Sequence, residues 1–306
     1  MPSGVYAVVV LYRPDQALLH EQFEAVRPQV DGVVYVDNGD GRRALGETGI
    51  LDDQSVILLG DGDNLGLSTA LNNALKLLLD ERLDGGTEFA LLLDQDSLPE
   101  PDMVRTLLLG FESSTTARRP VAAVGPAIRD LLHDNAEYFV RLGLPFNRRI
   151  RCAADAGTDF FEVDFLITSG TLVHIPALVD VGLMDESLFI DSIDFDWSFH
   201  ARSRGYALLA TFATAMRHRR GDEIRRAPGG LSIRVHSASR LYFMHRNRVR
   251  LYTRGYVPLA WKIHDFGRML VKMGLLMAFV PKRVANLRAI SRGIRDGLRQ
   301  RGGDGQ

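Results

Sequence analysis

Phe89-Ala90-Leu91-Leu92-Leu93-Asp94-Gln95-Asp96-Ser97 is the stretch that decides the fold. Five apolar residues in a row predict a strand buried on both faces, as in a parallel sheet covered by helices. Four polar residues follow at once, so two carboxylates stand at the carboxyl end of a core strand. Charge is costly to bury there. A hard divalent cation shared with the phosphate oxygens of a ligand would offset that cost. Open α/β sheets hold their ligands at this same edge. Two plainer readings use the same residues: a cap for a helix beginning near Pro99, or a polar turn.

Outward from this stretch, strand-like runs at 5–11, 31–37, 55–59, 88–93, 121–125, 161–167 and 207–212 alternate with helical patterns. The helical patterns fall near 15–28, 67–82, 100–112, 175–182 and 193–204. This alternation predicts an α/β domain with a mostly parallel, Rossmann-like sheet flanked by helices. The segment 129–158, rich in Arg and Asp, reads as a long mobile loop near a site. From about 237 the pattern is helical only. The expected organisation is therefore a catalytic domain over 1–236 and a basic helical C-terminal region over 237–306.

The totals are those of a soluble protein, 46% apolar and 25% charged in 306 residues. A single cysteine, Cys152, allows no intrachain disulfide and suits a reducing cytosol. Met1-Pro2-Ser3-Gly4 lacks the basic start of a signal peptide, so a cytoplasmic location is expected. The net charge of −1 conceals a division: residues 240–306 carry 15 Lys/Arg and 3 Asp/Glu, a net of +12, against −13 in the rest. Such asymmetry points to a basic appendage meeting an anionic surface, or folding back on the acidic part. The apolar run 269–280 is too short to cross a bilayer. Along the last helix Val284, Leu287, Ile290, Ile294 and Leu298 share one arc, with Arg288, Arg292, Arg295 and Arg299 beside it. That geometry suits a helix lying in an anionic membrane interface. Residues 282–301 offer no aromatic side chain for stacking on bases, so no nucleic acid partner is expected.

Further motifs carry possible chemistry. Val36-Asp37-Asn38-Gly39 ends the second strand, where an Asp can meet a ribose or base, or simply build a turn. Gly60-Asp61-Gly62-Asp63-Asn64-Leu65-Gly66 precedes a helix, but Leu65 stands where a dinucleotide fingerprint needs its third glycine. This argues against a nicotinamide dehydrogenase, while Asn64 and Gly66 remain placed to meet a phosphate or sugar. In Asp191-Ser192-Ile193-Asp194-Phe195-Asp196-Trp197, Asp191, Asp194 and Ser198 are expected on one side of a helix with Asp196 turned away. One of these carboxylates, partly desolvated, would suit a general base; a capping role for Asp191 is the plainer reading. His218, after the last strand, would complete a metal site with Asp96 or serve structure alone.

In this order the motifs resemble the inverting glycosyltransferases of family 2, and especially their bacterial rhamnosyltransferase branch. The matching residues are Val36-Asp37-Asn38, Asn64-Leu65-Gly66 with Ala70-Leu71-Asn72, Asp94-Gln95-Asp96-Ser97, Thr168-Ser169-Gly170, Leu188-Phe189-Ile190-Asp191, Asp194-Phe195-Asp196-Trp197, Arg204-Gly205-Tyr206, His218 and Arg246-Asn247. The resemblance implies a glycosyltransferase A-type fold with the helical extension beyond it. It implies a nucleotide-diphosphate sugar donor, dTDP-L-rhamnose foremost and a galactofuranosyl or other hexosyl donor as the rival. The acceptor would be a glycan or lipid-linked saccharide of cell-surface polysaccharide assembly, and the enzyme would sit peripherally on the inner face of the plasma membrane.

By the same resemblance Tyr12, Asp37, Asn64, Gly66, Asp94, Gln95 and Arg246 would face the donor. Asp96, with Asp94 and His218, would ligate Mg²⁺ or Mn²⁺. Asp194 would be the base of a single inverting displacement, and Ser169, Gly170, Asp191 and Trp197 would line the acceptor pocket. His200 stands where the family usually has Arg. A sugar-1-phosphate nucleotidyltransferase would need a Gly-, Arg- and Lys-rich loop where Tyr12-Arg13-Pro14-Asp15 stands. A catalytically inactive nucleotide-binding scaffold docked on a membrane is the non-enzymatic rival, which retention of Asp94, Asp96 and Asp194 opposes.

Overall fold

A computed structural model of the chain describes residues 4–80, 86–112, 119–130, 133–136, 138–151, 160–218, 224–226 and 232–299. Cys152 and the glycine-rich end at 302–305 lie outside them. The chain forms two compact units. One comprises Met1–Arg141, Arg148–Phe189 and Ile193–Arg220, the other Leu142–Asn147, Ile190–Ser192 and Gly221–Gln306.

The first unit opens with β1 (Val5–Leu11), α1 (Gln16–Val26), β2 (Gly32–Asp37), α2 (Gly41–Thr48), β3 (Val56–Leu59), α3 (Leu67–Leu79) and β4 (Phe89–Asp94). β5 (Ser97–Pro99), α4 (Met103–Glu112), β6 (Val121–Asp130) and β7 (His133–Ala136) follow. Then come β8 (Phe139–Arg141), β9 (Arg148–Ile150), β10 (Phe161–Val163), β11 (Thr171–His174), α5 (Ile175–Val181), α6 (Ile193–Ser203) and β12 (Ala207–His218).

The main sheet runs β10-β12-β6-β11-β4-β1-β2-β3, with β5 added to β12 and β7 to β6. β4, β1, β2 and β3 are parallel, as are β6 and β12. β11 runs antiparallel to both β4 and β6, and β10 antiparallel to β12, so the sheet is mixed. The predicted loop over 129–158 instead carries, among its described residues, β7 and the β8–β9 pair.

β4 shows why the apolar run reads as it does. Phe89, Leu91 and Leu93 join the large core cluster, and Ala90 and Leu92 are equally buried on the opposite face. A strand enclosed on both sides has no polar alternation to display. α1 begins where Asp15 Oδ1 accepts the N–H groups of Ala17 and Leu18, at 3.0 and 3.1 Å. Its buried side is Leu19, Gln22, Phe23 and Val26.

The second unit holds the hairpin of β13 (Ile224–Arg226) and β14 (Ser232–Arg234), then α7 (Ala238–Thr253), α8 (Leu259–Phe279) and α9 (Arg283–Arg299). α9 packs along α7 through two glycines. A β-carbon on Gly293 would lie 2.4 Å from the Tyr242 carbonyl oxygen, and one on Gly297 2.7 Å from that of Arg246. This close crossing divides the expected apolar arc of α9. Ile290 is buried with Leu241, Leu276 and Val280, whereas Val284, Leu287 and Leu298 stay exposed. Among the described residues no helix is long and apolar enough to cross a membrane.

Candidate active site

The strand register gathers the acidic residues at one edge. Leu11 pairs with Asp37 of β2 and Val10 with Asp94 of β4, so the two carboxylates flank the end of β1. Tyr12 follows directly. The Gln95 amide clamps its backbone, accepting the Tyr12 N–H at 2.8 Å and donating to the Tyr12 carbonyl at 3.1 Å. Gln95 therefore holds β1 to the acidic turn, while the Tyr12 ring lies half exposed against Gly39.

The turn itself is braced from behind. Gln22 Nε2 donates to the carbonyls of Asp94 and Ser97, at 2.6 and 2.9 Å. The buried Ser97 and Ser169 hydroxyls lie 2.6 Å apart, and Ser169 Oγ also accepts the Asp94 N–H at 3.4 Å. Ser169 thus supports the turn, and Gly170 (φ +85°) leaves room for Pro126 and Met216 against its backbone. Asp94, Gln95 and Asp96 themselves are half-buried.

After the turn the chain reverses into β5, which pairs Ser97 with residue 218 of β12. Asp96 and the backbone of His218 are thereby brought to one place, though the His218 side chain lies outside what is described. Among the described residues no three His, Cys, Asp or Glu side chains form a metal cluster. Two hard carboxylates in a turn still fit Mg²⁺ or Mn²⁺, because such ions are commonly held by one or two carboxylates together with substrate phosphates.

Asp37 is buried and bonded into its own turn. Its Oδ1 accepts the N–H groups of Gly39 and Gly41 at 3.0 and 2.7 Å, and Oδ2 that of Arg42 at 2.9 Å. Burial works to raise its pKa, but those three N–H groups and the Arg42 charge outweigh it and hold the carboxyl below its ordinary range. Asn38 carries the connection onward, accepting the Leu65 N–H at 2.8 Å, and Asn64 Oδ1 accepts the Gly66 N–H at 3.1 Å. Gly66 (φ +86°) packs under Phe189, whose ring would be 2.4 Å from a β-carbon there. Asn72, from the same motif, exchanges two hydrogen bonds with the Met184 backbone, at 2.8 and 3.0 Å.

Asp194 occupies the first turn of α6, where its Oδ1 accepts the Phe195 N–H at 2.9 Å. It lines a small cavity of about 20 Å³ together with Trp197, Ser198 and Met184. The Trp197 indole N–H donates to the Gly182 carbonyl at 2.9 Å, which fixes that wall. A second cavity of about 120 Å³, bounded by Pro126, Phe165 and Ser169, shares Leu166, Ile167 and Thr171 with the first.

One expectation about this cluster is corrected. Asp191 is not on the helix: it has φ +64° and precedes α6, while Asp196 is itself buried at 6% exposure. α6 is enclosed over much of its girth, burying Ile193, Asp196, Trp197, Ser198, Phe199 and Ala201 where it packs against β12 and α5. In the second unit Asp191 receives a two-pronged bond from Arg240, at 3.2 and 3.1 Å, and Asn247 donates to the carbonyls of Ile190 and Asp191 at 2.7 and 2.9 Å. Arg246 belongs to this unit too, stacked over Phe243 with its guanidinium donating to Asn247 Oδ1 at 3.0 and 2.9 Å.

Gln22 was not expected. Its signal was present as one polar residue within the apolar stripe of Leu19, Phe23 and Val26, and its partners stand 72 and 75 residues away.

No protein-family profile matches the sequence. The curated dTDP-rhamnosyl transferase RfbF of Shigella flexneri is 27% identical over 307 residues, covering 100% of this chain and 99% of that protein. A crystal structure of GalNAc-T7 with UDP, GalNAc and Mn²⁺ matches 98% of the chain at a TM-score of 0.62 and 13% identity. The crystal structure of S. aureus TarS matches 96% at 0.52 and 12% identity. The chain spans 56% and 48% of those two solved chains, and at such identity they speak to the fold alone.

Proposed function

We propose that this chain, a glycosyltransferase with the A-type fold, is an inverting rhamnosyltransferase of family 2 using dTDP-L-rhamnose. The observation that carries this reading is the acidic turn Asp94-Gln95-Asp96, braced by Gln22 and Ser169 beside the end of β1. The full-length likeness to a dTDP-rhamnosyl transferase supports the donor. In this reading the nucleoside lies over the Asp37, Asn38 and Tyr12 end of the sheet. The diphosphate meets Asp94 and Asp96, with His218 the candidate third ligand. A divalent cation bound there supplies charge stabilisation for the departing diphosphate.

Asp194 deprotonates the acceptor hydroxyl from its place in the first turn of α6, beside the cavity it lines with Trp197 and Ser198. The hydroxyl attacks the anomeric carbon opposite the leaving group, so the product from dTDP-β-L-rhamnose is an α-L-rhamnoside. The acceptor is a glycan or lipid-linked saccharide, and the basic C-terminal helices keep the enzyme at an anionic, cytoplasm-facing membrane surface.

The test joins titration calorimetry of dTDP-L-rhamnose, with and without Mg²⁺, to measurement of donor hydrolysis. Metal-dependent binding is expected. Asp194→Asn is expected to keep donor binding while turnover falls by about 10²-fold or more. Near-normal turnover in Asp194→Asn removes Asp194 as the base, and tight dTDP binding indifferent to metal with no turnover would instead favour a scaffold.

A further inference from the structure

The second unit leaves an unusual amount of apolar surface bare. On α8, Leu259, Ile263, Phe266 and Leu270 are 64, 49, 50 and 47% exposed, at spacings of four, three and four residues. At 100° per residue they fall on one narrow stripe, about 16 Å long at the helical rise. The opposite side of α8 is the packed one, with Trp261, Asp265, Met269 and Leu276 buried. Asp265 is anchored there by Arg248 and by Tyr252 at 2.7 Å, so α8 cannot roll to hide the stripe.

On α9 the glycine crossing with α7 fixes the rotation in the same way. It leaves Val284, Leu287 and Leu298 exposed, next to the exposed Arg288, Arg292, Arg295 and Arg299. Between 259 and 299 stand nine Lys/Arg and two Asp/Glu. Asp265 is buried beneath Arg248, and Asp296 lies within 3.5 Å of Arg295 and bonds the Tyr242 hydroxyl.

We propose that α8 and α9 together form the membrane-docking surface, with the Leu259–Leu270 stripe of α8 entering the acyl boundary and the Arg row of α9 lying against anionic lipid headgroups. The inference rests on the membrane reading above but moves the main apolar contact from α9 to α8, because Ile290 of α9 is already committed to the protein interior. Charge selects the occupant. A second copy docking by the same face would bring an equally basic surface against this one, whereas anionic lipid complements it. On α9 the exposed Val284, Leu287 and Leu298 beside that Arg row are also the pattern of a helix lying in an interface.

The experiment measures co-sedimentation of the full chain with phosphatidylglycerol/phosphatidylethanolamine vesicles and with phosphatidylcholine vesicles. Wild type is expected to bind the first far better, with binding weakening as salt rises. Ile263→Gln with Leu270→Gln should lower partitioning at least about tenfold, and each Arg→Gln on α9 about fivefold. Phe266→Trp should show a blue-shifted emission, quenched by acyl-brominated lipid, only with anionic vesicles.

If the α8 pair binds like wild type and the indole introduced by Phe266→Trp stays unquenched, α8 is not the inserted helix, while a remaining loss on removing the α9 arginines would preserve the simpler basic-helix reading. If wild type ignores anionic vesicles, both membrane readings fall. Donor hydrolysis in solution is unaffected in every variant if the glycosyltransferase reading holds.

Discussion

Replacing Ser97 and Ser169 by alanine, singly and together, tests whether the acidic turn is held from behind. The two hydroxyls are 2.6 Å apart, at 0 and 3% exposure. Removing Ser169 takes away the hydroxyl that pairs with Ser97 in a site that water does not reach, which costs about 1–3 kcal/mol, whereas in Ser97→Ala the Ser169 hydroxyl keeps the Asp94 N–H and the Met216 sulfur. Ser169→Ala should be the more harmful, since Ser169 Oγ also receives the Asp94 N–H at 3.4 Å. The double variant strands neither hydroxyl, so its destabilisation should fall short of the sum by about 1 kcal/mol.

Urea unfolding followed by Trp197 fluorescence in a Trp261→Phe background reads the first unit alone, because the chain has only two tryptophans. In parallel, the donor KM should rise in Ser169→Ala as the Asp94 backbone loosens. Additivity within about 0.3 kcal/mol would refute the coupling, and with it the claim that this pair braces the turn.

Two further outcomes are expected. Gly66→Ala meets both a positive φ and the Phe189 ring. It should destabilise the first unit by about 3 kcal/mol, with weaker donor binding, and unchanged urea midpoints would refute the tight fit. Asp37 has a folded pKa below its unfolded one, so its contribution to stability is full above about pH 4 and lost as pH falls through the depressed value. Asp37→Asn should therefore be less stable at neutral pH and show a shallower loss on acidification, as read from urea midpoints across pH; an acid limb identical to wild type would count against the buried, bonded carboxylate.

The strands were legible where burial on both faces writes itself as an unbroken apolar run. β1 through β4 fall within a residue of the runs at 5–11, 31–37, 55–59 and 88–93. α2 was missed because Gly41–Thr48 is short and polar and buries only Gly41, Ala44 and Leu45. β11 was missed because four residues, Thr171–His174, follow a Thr-Ser-Gly turn, and only pairing with β4 and β6 makes them a strand. β12 runs six residues past its expected end, through a register irregularity between Thr211 and Ala215 that breaks the apolar pattern. The same limit applied at the site. Asp94, Asp96 and Asp194 could be singled out by type and place, whereas Gln22, the clamp of Gln95 on Tyr12 and the Ser97–Ser169 pair depend on residues 72 to 83 positions apart.

By itself the sequence determined where β1 to β4 run, to within a residue, and that carboxylates stand at the ends of β2 and β4, because burial and strand period act on neighbouring residues. Tertiary structure alone decided which strands lie side by side, and so which carboxylates share an edge. It turned Asp196 inward, lifted Asp191 off the helix, and spent Ile290 on the interior while leaving the α8 stripe bare. Those outcomes depend on which face of an element finds a partner, and hydrogen bonds and packing between distant segments settle that only once the chain has closed on itself.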